Sequence, residues 1–183
     1  SLPEVDRQST KELRFEKLEW GDAEAVQLAD VLPSFVRLKE LGLAFNKIGD
    51  AGAAAIAEAC RRLPKLKWLE LNRNQIGDAG MAALAEVCRQ LPELKELSLG
   101  NNQIGDAGAA ALAEACGQLP KLEKLDLQRN QIGDAGAAAL AEAIAKEGAF
   151  PSLDYIDLSR NPASGEAKKA VQEALKKKQQ QRI

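Results

Sequence analysis

Asp126 and Asp157 occupy matching places in two similar segments, Leu125-Asp126-Leu127-Gln128-Arg129-Asn130 and Ile156-Asp157-Leu158-Ser159-Arg160-Asn161. Two carboxylates held side by side can shift each other's pKa and do acid/base work. Lys124 and Arg129 flank the first, and Tyr155 follows the same pattern beside the second. Acid/base work also needs a pocket that excludes water, and the rest of a catalytic apparatus is missing. The chain has 183 residues and no histidine. That removes Ser/His/Asp and Cys/His catalysis, His-containing zinc sites and imidazole pH switching. No phosphate-binding glycine loop and no nucleophile elbow are found. Trp, Tyr and Arg among charged neighbours are the residue types of binding hot spots. The expectation is a binding surface, with no catalytic residues, no cofactor and no metal.

The elements that would carry this surface come from an internal repeat. Residues 38–65, 66–93 and 94–121 are three copies of a 28-residue pattern, and 122–152 is a fourth with three extra residues. Gln103–Glu114 and Gln131–Glu142 are identical, QIGDAGAAALAE. A fifth full start, LDYIDLSRN, follows at Leu153. A degenerate first copy lies upstream, where Leu13 and Phe15 match Leu41 and Leu43, and Gly21-Asp22 matches Gly49-Asp50. Self-similarity at this period signals a solenoid of six units.

Each unit changes periodicity once. In the third, Leu69 and Leu71 alternate with Trp68, Glu70 and Asn72, the period of a short strand with one buried face. From Asp78 to about Gln90, Met81, Leu84, Ala85 and Cys88 follow the i, i+3, i+4, i+7 spacing of a helix. Gly77 suits a tight turn before the helix. Asp78 suits its N-cap, and Leu91-Pro92 its exit. A unit this short cannot bury its own apolar face, so the units must stack. Strands stack at ~4.8 Å and helices at roughly 8–10 Å. The stack must therefore bend into a horseshoe arc, with strands on the concave face and helices on the convex face.

The repeats agree at these scaffold positions and differ on the outward strand positions. The first outward column is Glu40, Trp68, Glu96, Lys124 and Tyr155. The second is Gly42, Glu70, Ser98, Asp126 and Asp157. The third is Ala44, Asn72, Gly100, Gln128 and Ser159, and the loop edge adds Phe45, Arg73, Asn101, Arg129 and Arg160. Specificity would be written here. The expected contacts are Trp68, Glu70, Arg73, Glu96, Lys124, Asp126, Arg129, Tyr155 and Asp157.

The other recurring polar residues read as structural. Asn46, Asn74, Asn102, Asn130 and Asn161 are expected to satisfy backbone groups that would otherwise be buried unpaired. Asp22, Asp50, Asp78, Asp106 and Asp134 are expected to cap helices. Residues one repeat apart do not converge on a metal ion. Cys60, Cys88 and Cys116 share a position with Ile144, so they read as reduced core thiols. Ala167, Ala170, Val171, Ala174 and Leu175 give the lysine-rich C-terminal segment one apolar face. It reads as a capping helix, frayed beyond Lys178, with an acidic partner as the alternative use of its charge. Lys146–Ser152 breaks the period, with Phe150 as a plug or the segment as a contact loop.

L-x-x-L-x-L-x-x-N with I-G-D-x-G-x-x-x-L at a 28-residue period resembles the ribonuclease-inhibitor type of leucine-rich repeat. It is also similar to the repeats of nucleotide-binding immune receptors and of the Ran GTPase-activating protein. The resemblance covers about residues 10–165. It implies an α/β solenoid, not an enzyme, that binds another protein through the concave face. The near-identity of the units equally fits a consensus-designed or engineered scaffold with no native ligand, or a recent natural duplication. A GTPase regulator is the third reading, although no residue-level motif carries over for it. One domain is expected over 1–183, with a degenerate cap at 1–37, repeats at 38–161, and a capping helix and tail at 162–183. A net charge of −2 makes no global electrostatic case for nucleic acid or an anionic membrane. No signal peptide is expected from Ser1–Asp6. A monomer in a reducing, cytoplasmic setting completes the expectation.

Overall fold

The computed structural model describes residues 6–115 and 119–182. Among these residues six three-residue strands alternate with six α-helices: β1 (Glu12–Arg14), α1 (Asp22–Val31), β2 (Glu40–Gly42), α2 (Asp50–Cys60), β3 (Trp68–Glu70), α3 (Asp78–Cys88), β4 (Glu96–Ser98), α4 (Asp106–Ala115), β5 (Lys124–Asp126), α5 (Asp134–Ala145), β6 (Tyr155–Asp157) and α6 (Gly165–Gln180). The strands form one parallel sheet in chain order. The repeat sets the register, with Leu13, Leu41, Leu69, Leu97, Leu125 and Ile156 side by side. Each helix packs on the next. The core lies between the two layers. Leu69, Leu71 and Ile76 meet Met81, Leu84, Ala85 and Cys88, and all are buried. Cys60 and Cys88 are free, and burial pushes both thiols up to about 12, so they behave as apolar groups. Cys116 lies outside the described residues.

The asparagines hold the strand exits together. Asn74 Nδ2 donates to Leu71 O in its own unit (3.0 Å) and to Leu43 O in the preceding one (2.9 Å), while its Oδ1 accepts from Ile48 N (3.0 Å). Asn102, Asn130 and Asn161 each repeat this bridge back to the unit before. Three buried backbone groups are satisfied by one side chain, which is why an amide, donor and acceptor at once, stands at this place.

The aspartates differ from the expectation. Asp78 does not cap its own helix: Gly77 occupies the N-cap position, and it has no side chain to bond there. Asp50 Oδ1, one unit earlier, accepts from Gly77 N (2.7 Å) and Gly80 N (2.9 Å). Asp22, Asp78 and Asp106 do the same for α2, α4 and α5. Each carboxylate thus caps the helix of the next unit, satisfying two otherwise orphaned amides at the positive end of the helix dipole. Gly77 is extended (φ −101°), so it serves this close approach rather than a turn. A Cβ on Gly80 would lie 2.7 Å from Asp50 Oδ1 and 2.9 Å from Ile76 Cγ2. The second glycine of Gly-Asp-Ala-Gly is therefore needed for space.

The two ends keep only the groups that a neighbour can use. In the first unit Asp22 still serves α2, but Leu18 replaces the asparagine and Glu24 replaces the second glycine. Glu24 Oε2 accepts from Gly21 N (2.8 Å), so α1 caps itself. In the last unit Asn161 still serves the strand exit of the fifth, and Ser164 N donates to Asp134 of the fifth (2.6 Å). Gly165 stands where the aspartate would be. Helix α6 covers the free edge of β6, with Gln172 and Gln179 donating to Ile156 O and Asp154 O (3.0 and 2.9 Å).

The C-terminal segment is not frayed beyond Lys178. Lys178 Nζ is buried and donates to Lys146 O (2.8 Å) and Ala149 O. Arg182 donates to Leu153 O (2.8 Å) and pairs with Asp154 (2.6 Å). These basic side chains satisfy the carbonyls of the period-breaking segment, where Phe150 is fully buried as a plug. Ala170, expected on the apolar face, is exposed.

Two outcomes test this account. Gly108→Ala and Asp78→Ala should each destabilise by about 1–3 kcal/mol. Their double variant should lose less than the sum, because the clash and the bond involve one oxygen. Asn74→Ala, which strands three backbone groups, should cost about 2–4 kcal/mol. Both follow from urea unfolding curves.

Candidate protein-binding face

The strand side of the sheet carries all nine expected contact residues, brought there by the register of the repeat. Trp68, Glu96, Lys124 and Tyr155 form one row across β3–β6, and Glu70, Ser98, Asp126 and Asp157 the next. Arg73 and Arg129 stand at the loop edge. Tyr155 is 48% exposed, whereas Trp68 is half-buried between the flanking strands.

The loop edge has one conformational signature. Lys17, Phe45, Arg73, Asn101, Arg129 and Arg160, one per unit, all have φ between 51° and 59°. This left-handed conformation costs a non-glycine residue ~1–2 kcal/mol, and the bonds across neighbouring units hold it: Phe45 N donates to Asn72 O and Arg73 N to Gly100 O. Phe45 is exposed, with the cations of Lys17 and Arg73 over its ring at 5.2 and 4.7 Å. Phe45 and Arg160 belong to the loop-edge column in sequence but not among the expected contacts. The signal for them was their place directly before the recurrent asparagine.

Charge on this face is partly cancelled. Arg14 pairs with Glu12, Glu16 (3.5 Å) and Glu40. Lys124 pairs with Glu96 at 2.9 Å, which raises the lysine pKa, and so Lys124 does not bridge Asp126. Asp126 accepts from Gln128 N and Gln128 Nε2 (2.9 and 3.2 Å), and Asp157 from Ser159 N and the Tyr155 hydroxyl (2.7 and 3.3 Å). Among the described residues Glu70 has no cation partner. Partial burial and the nearby Glu40 carboxylate raise its pKa. The tyrosine hydroxyl is likewise raised, by desolvation and the adjacent Asp157.

The sequence matches the family described as "Leucine Rich repeats (2 copies)" over residues 64–114 and 92–142, and "Leucine Rich repeat" over 38–57. This protein is a leucine-rich-repeat solenoid. No curated protein matches the sequence. Among solved structures, the repeat array is similar to the C-terminal domain of tropomodulin from Caenorhabditis elegans (TM-score 0.67, 21% identity, covering 86% of this chain and 95% of that one). It is also similar to the actin-binding site 2 of leiomodin-1 (0.62, 16%, 87% and 90%). An internalin of Listeria monocytogenes matches at 0.53 and 22% identity, over 87% of this chain and 44% of the internalin. At these identities the likeness is one of fold. None of the helices described in the leucine-rich-repeat chain is long and apolar enough to cross a membrane.

Glu70 supplies a test of the electrostatics. A carboxyl whose folded pKa is raised destabilises the fold once it ionises, so that stability falls as pH rises through its titration. Glu70→Gln should therefore melt higher than wild type at pH 7, and the difference should vanish at pH values where Glu70 is protonated in both states. Calorimetry across pH 3–7 measures it.

Proposed function

We propose that this leucine-rich-repeat domain is a non-enzymatic protein-binding module that receives its partner on the concave strand face. The observation that carries the reading is the contrast between scaffold and face. The strand leucines, asparagines, aspartates and second glycines are tied into neighbouring units, whereas among the outward residues only Arg14–Glu40 and Lys124–Glu96 pair ionically between units. They include Trp68 and Tyr155, aromatics rarely left facing outward, and charges without partners. The 28-residue period supports the ribonuclease-inhibitor subtype. We read 1–183 as one domain, monomeric and cytoplasmic, with buried reduced thiols.

One neighbour is an actin-binding site of leiomodin-1, so actin is the first partner to try. The identical stretches Gln103–Glu114 and Gln131–Glu142 support a second reading, a consensus scaffold with no native ligand. Wild type should co-sediment with, or specifically capture from lysate, a protein that a folded Trp68→Ala/Asp126→Ala/Tyr155→Ala variant binds at least tenfold more weakly. Hot-spot truncations of this kind commonly cost ~2 kcal/mol or more. Equal capture by both proteins would overturn the concave-face reading and favour the scaffold.

A further inference from the structure

Units three, five and six carry a matched pair of charge lines. The floor line is Glu70, Asp126 and Asp157, one residue on each of β3, β5 and β6. The rim line is Arg73, Arg129 and Arg160, three positions further along the same units. Among the described residues none of these six forms an ion pair, although the other carboxylates of this face are paired with Arg14 or Lys124. The row between the lines runs from Asn72 to Ser159 without a charge. Unit four is neutral in both lines, with Ser98 on the floor and Asn101 on the rim. Gly100 keeps the middle low: a Cβ there would lie 2.9 Å from Asp126 Oδ2.

We infer that the concave face of units three to six fits an α-helix of a protein partner, one with basic side chains along one flank and acidic side chains along the other. This deepens the binding reading above and rests on it. The dimensions select the occupant. Three residues of extended chain separate the two lines by ~10 Å, about the 10–12 Å diameter of a helix with its side chains. Along the groove the charged units are spaced by roughly 10 and then 5 Å. Helix positions i, i+7 and i+11 rise about 10.5 and 16.5 Å and stay on one stripe. An extended strand laid the same way would need positions about three residues apart, which point to opposite faces. The rim arginines carry a second indication. Asparagine, used at Asn101, enters the left-handed conformation more readily than arginine, yet arginine stands at three of the six places.

The test uses stapled helical peptides of about 18 residues, the banded and scrambled ones of identical composition, titrated into isotope-labelled protein at about 50 mM and then about 300 mM salt. One peptide carries lysines and glutamates on opposite flanks, one has them scrambled, and a third is lysine-only. The banded peptide should bind at least tenfold tighter than the scrambled one at low salt, and lose that advantage at high salt. It should shift the amides of 70–73, 98–101, 126–129 and 157–160. An Arg129→Glu/Arg160→Glu variant of verified fold should reverse the preference, towards the lysine-only helix. Equal binding of banded and scrambled peptides with shifts on the strands would overturn the banded-helix inference and leave concave-face binding standing. Shifts confined to other surfaces would overturn both. No binding by any peptide would overturn the inference alone, because protein capture decides the wider reading separately.

Discussion

A carboxylate oxygen shared by two amides of the next unit is the interaction on which this solenoid depends. Asp50 at the start of α2 holds the first turn of α3, and the same contact recurs along the stack. A helix start needs its amides satisfied, and here the solution lies outside the helix that needs it. Helices α2 to α5 cannot complete their own starts, and the strand exits are likewise bridged across units by the asparagines. Stability therefore belongs to pairs of neighbours, as expected of a quasi-one-dimensional array. The period follows from the same bonds. Two partners roughly one unit away must be met at once, by an amide at the strand exit and a carboxylate at the helix start, and only the return segment after the helix is free to change length. The three extra residues fall there, around Phe150.

That constraint divides the residues of each unit. Leucines, isoleucines, the asparagine, the aspartate and the close-approach glycine are committed to the neighbour. What remains free is the outward side of three strand residues and the left-handed residue at the loop edge. The variable residues concentrate on these positions, and the backbone places them in straight rows about one strand spacing apart. The face is therefore a grid in which charge can be arranged in lines. In the first two units Arg14 cancels the carboxylates around it. In the later units the carboxylates and the arginines are kept in separate rows.

The same bonds explain the ends. A terminal unit lacks one neighbour, and any group designed to meet it would be stranded. Leu18 and Glu24 remove the two features that need an upstream unit, and Gly165 removes the one that would serve a downstream unit. Helix α6 then replaces the missing neighbour with side chains: two glutamines on the edge strand, and Lys178 and Arg182 on the carbonyls of the preceding loop.

The sequence by itself determined the repeat, its strand and helix halves, the buried leucine and asparagine columns, and the rows on the sheet. Periodicity is local and additive, so alternation and the i, i+3, i+4 stripe can be read without a partner in view. The asparagine ladder was legible too, because a recurrent amide at a buried strand exit has only backbone to satisfy. What only the tertiary structure decided was everything a side chain does across units. Asp78 sits at a helix start in sequence, and nothing local tells whether its carboxylate turns back onto its own helix or forward onto the next. The forward choice is made by Gly105 and Gly108, 27 and 30 residues away. In the same way Lys178 and Arg182 look like solvated charge until the carbonyls beneath them are in place. Which charges of the face are cancelled, Lys124 by Glu96 rather than by Asp126, depends on distances between strands. Sequence order names the neighbours on a strand, but only packing fixes which of the facing groups touch.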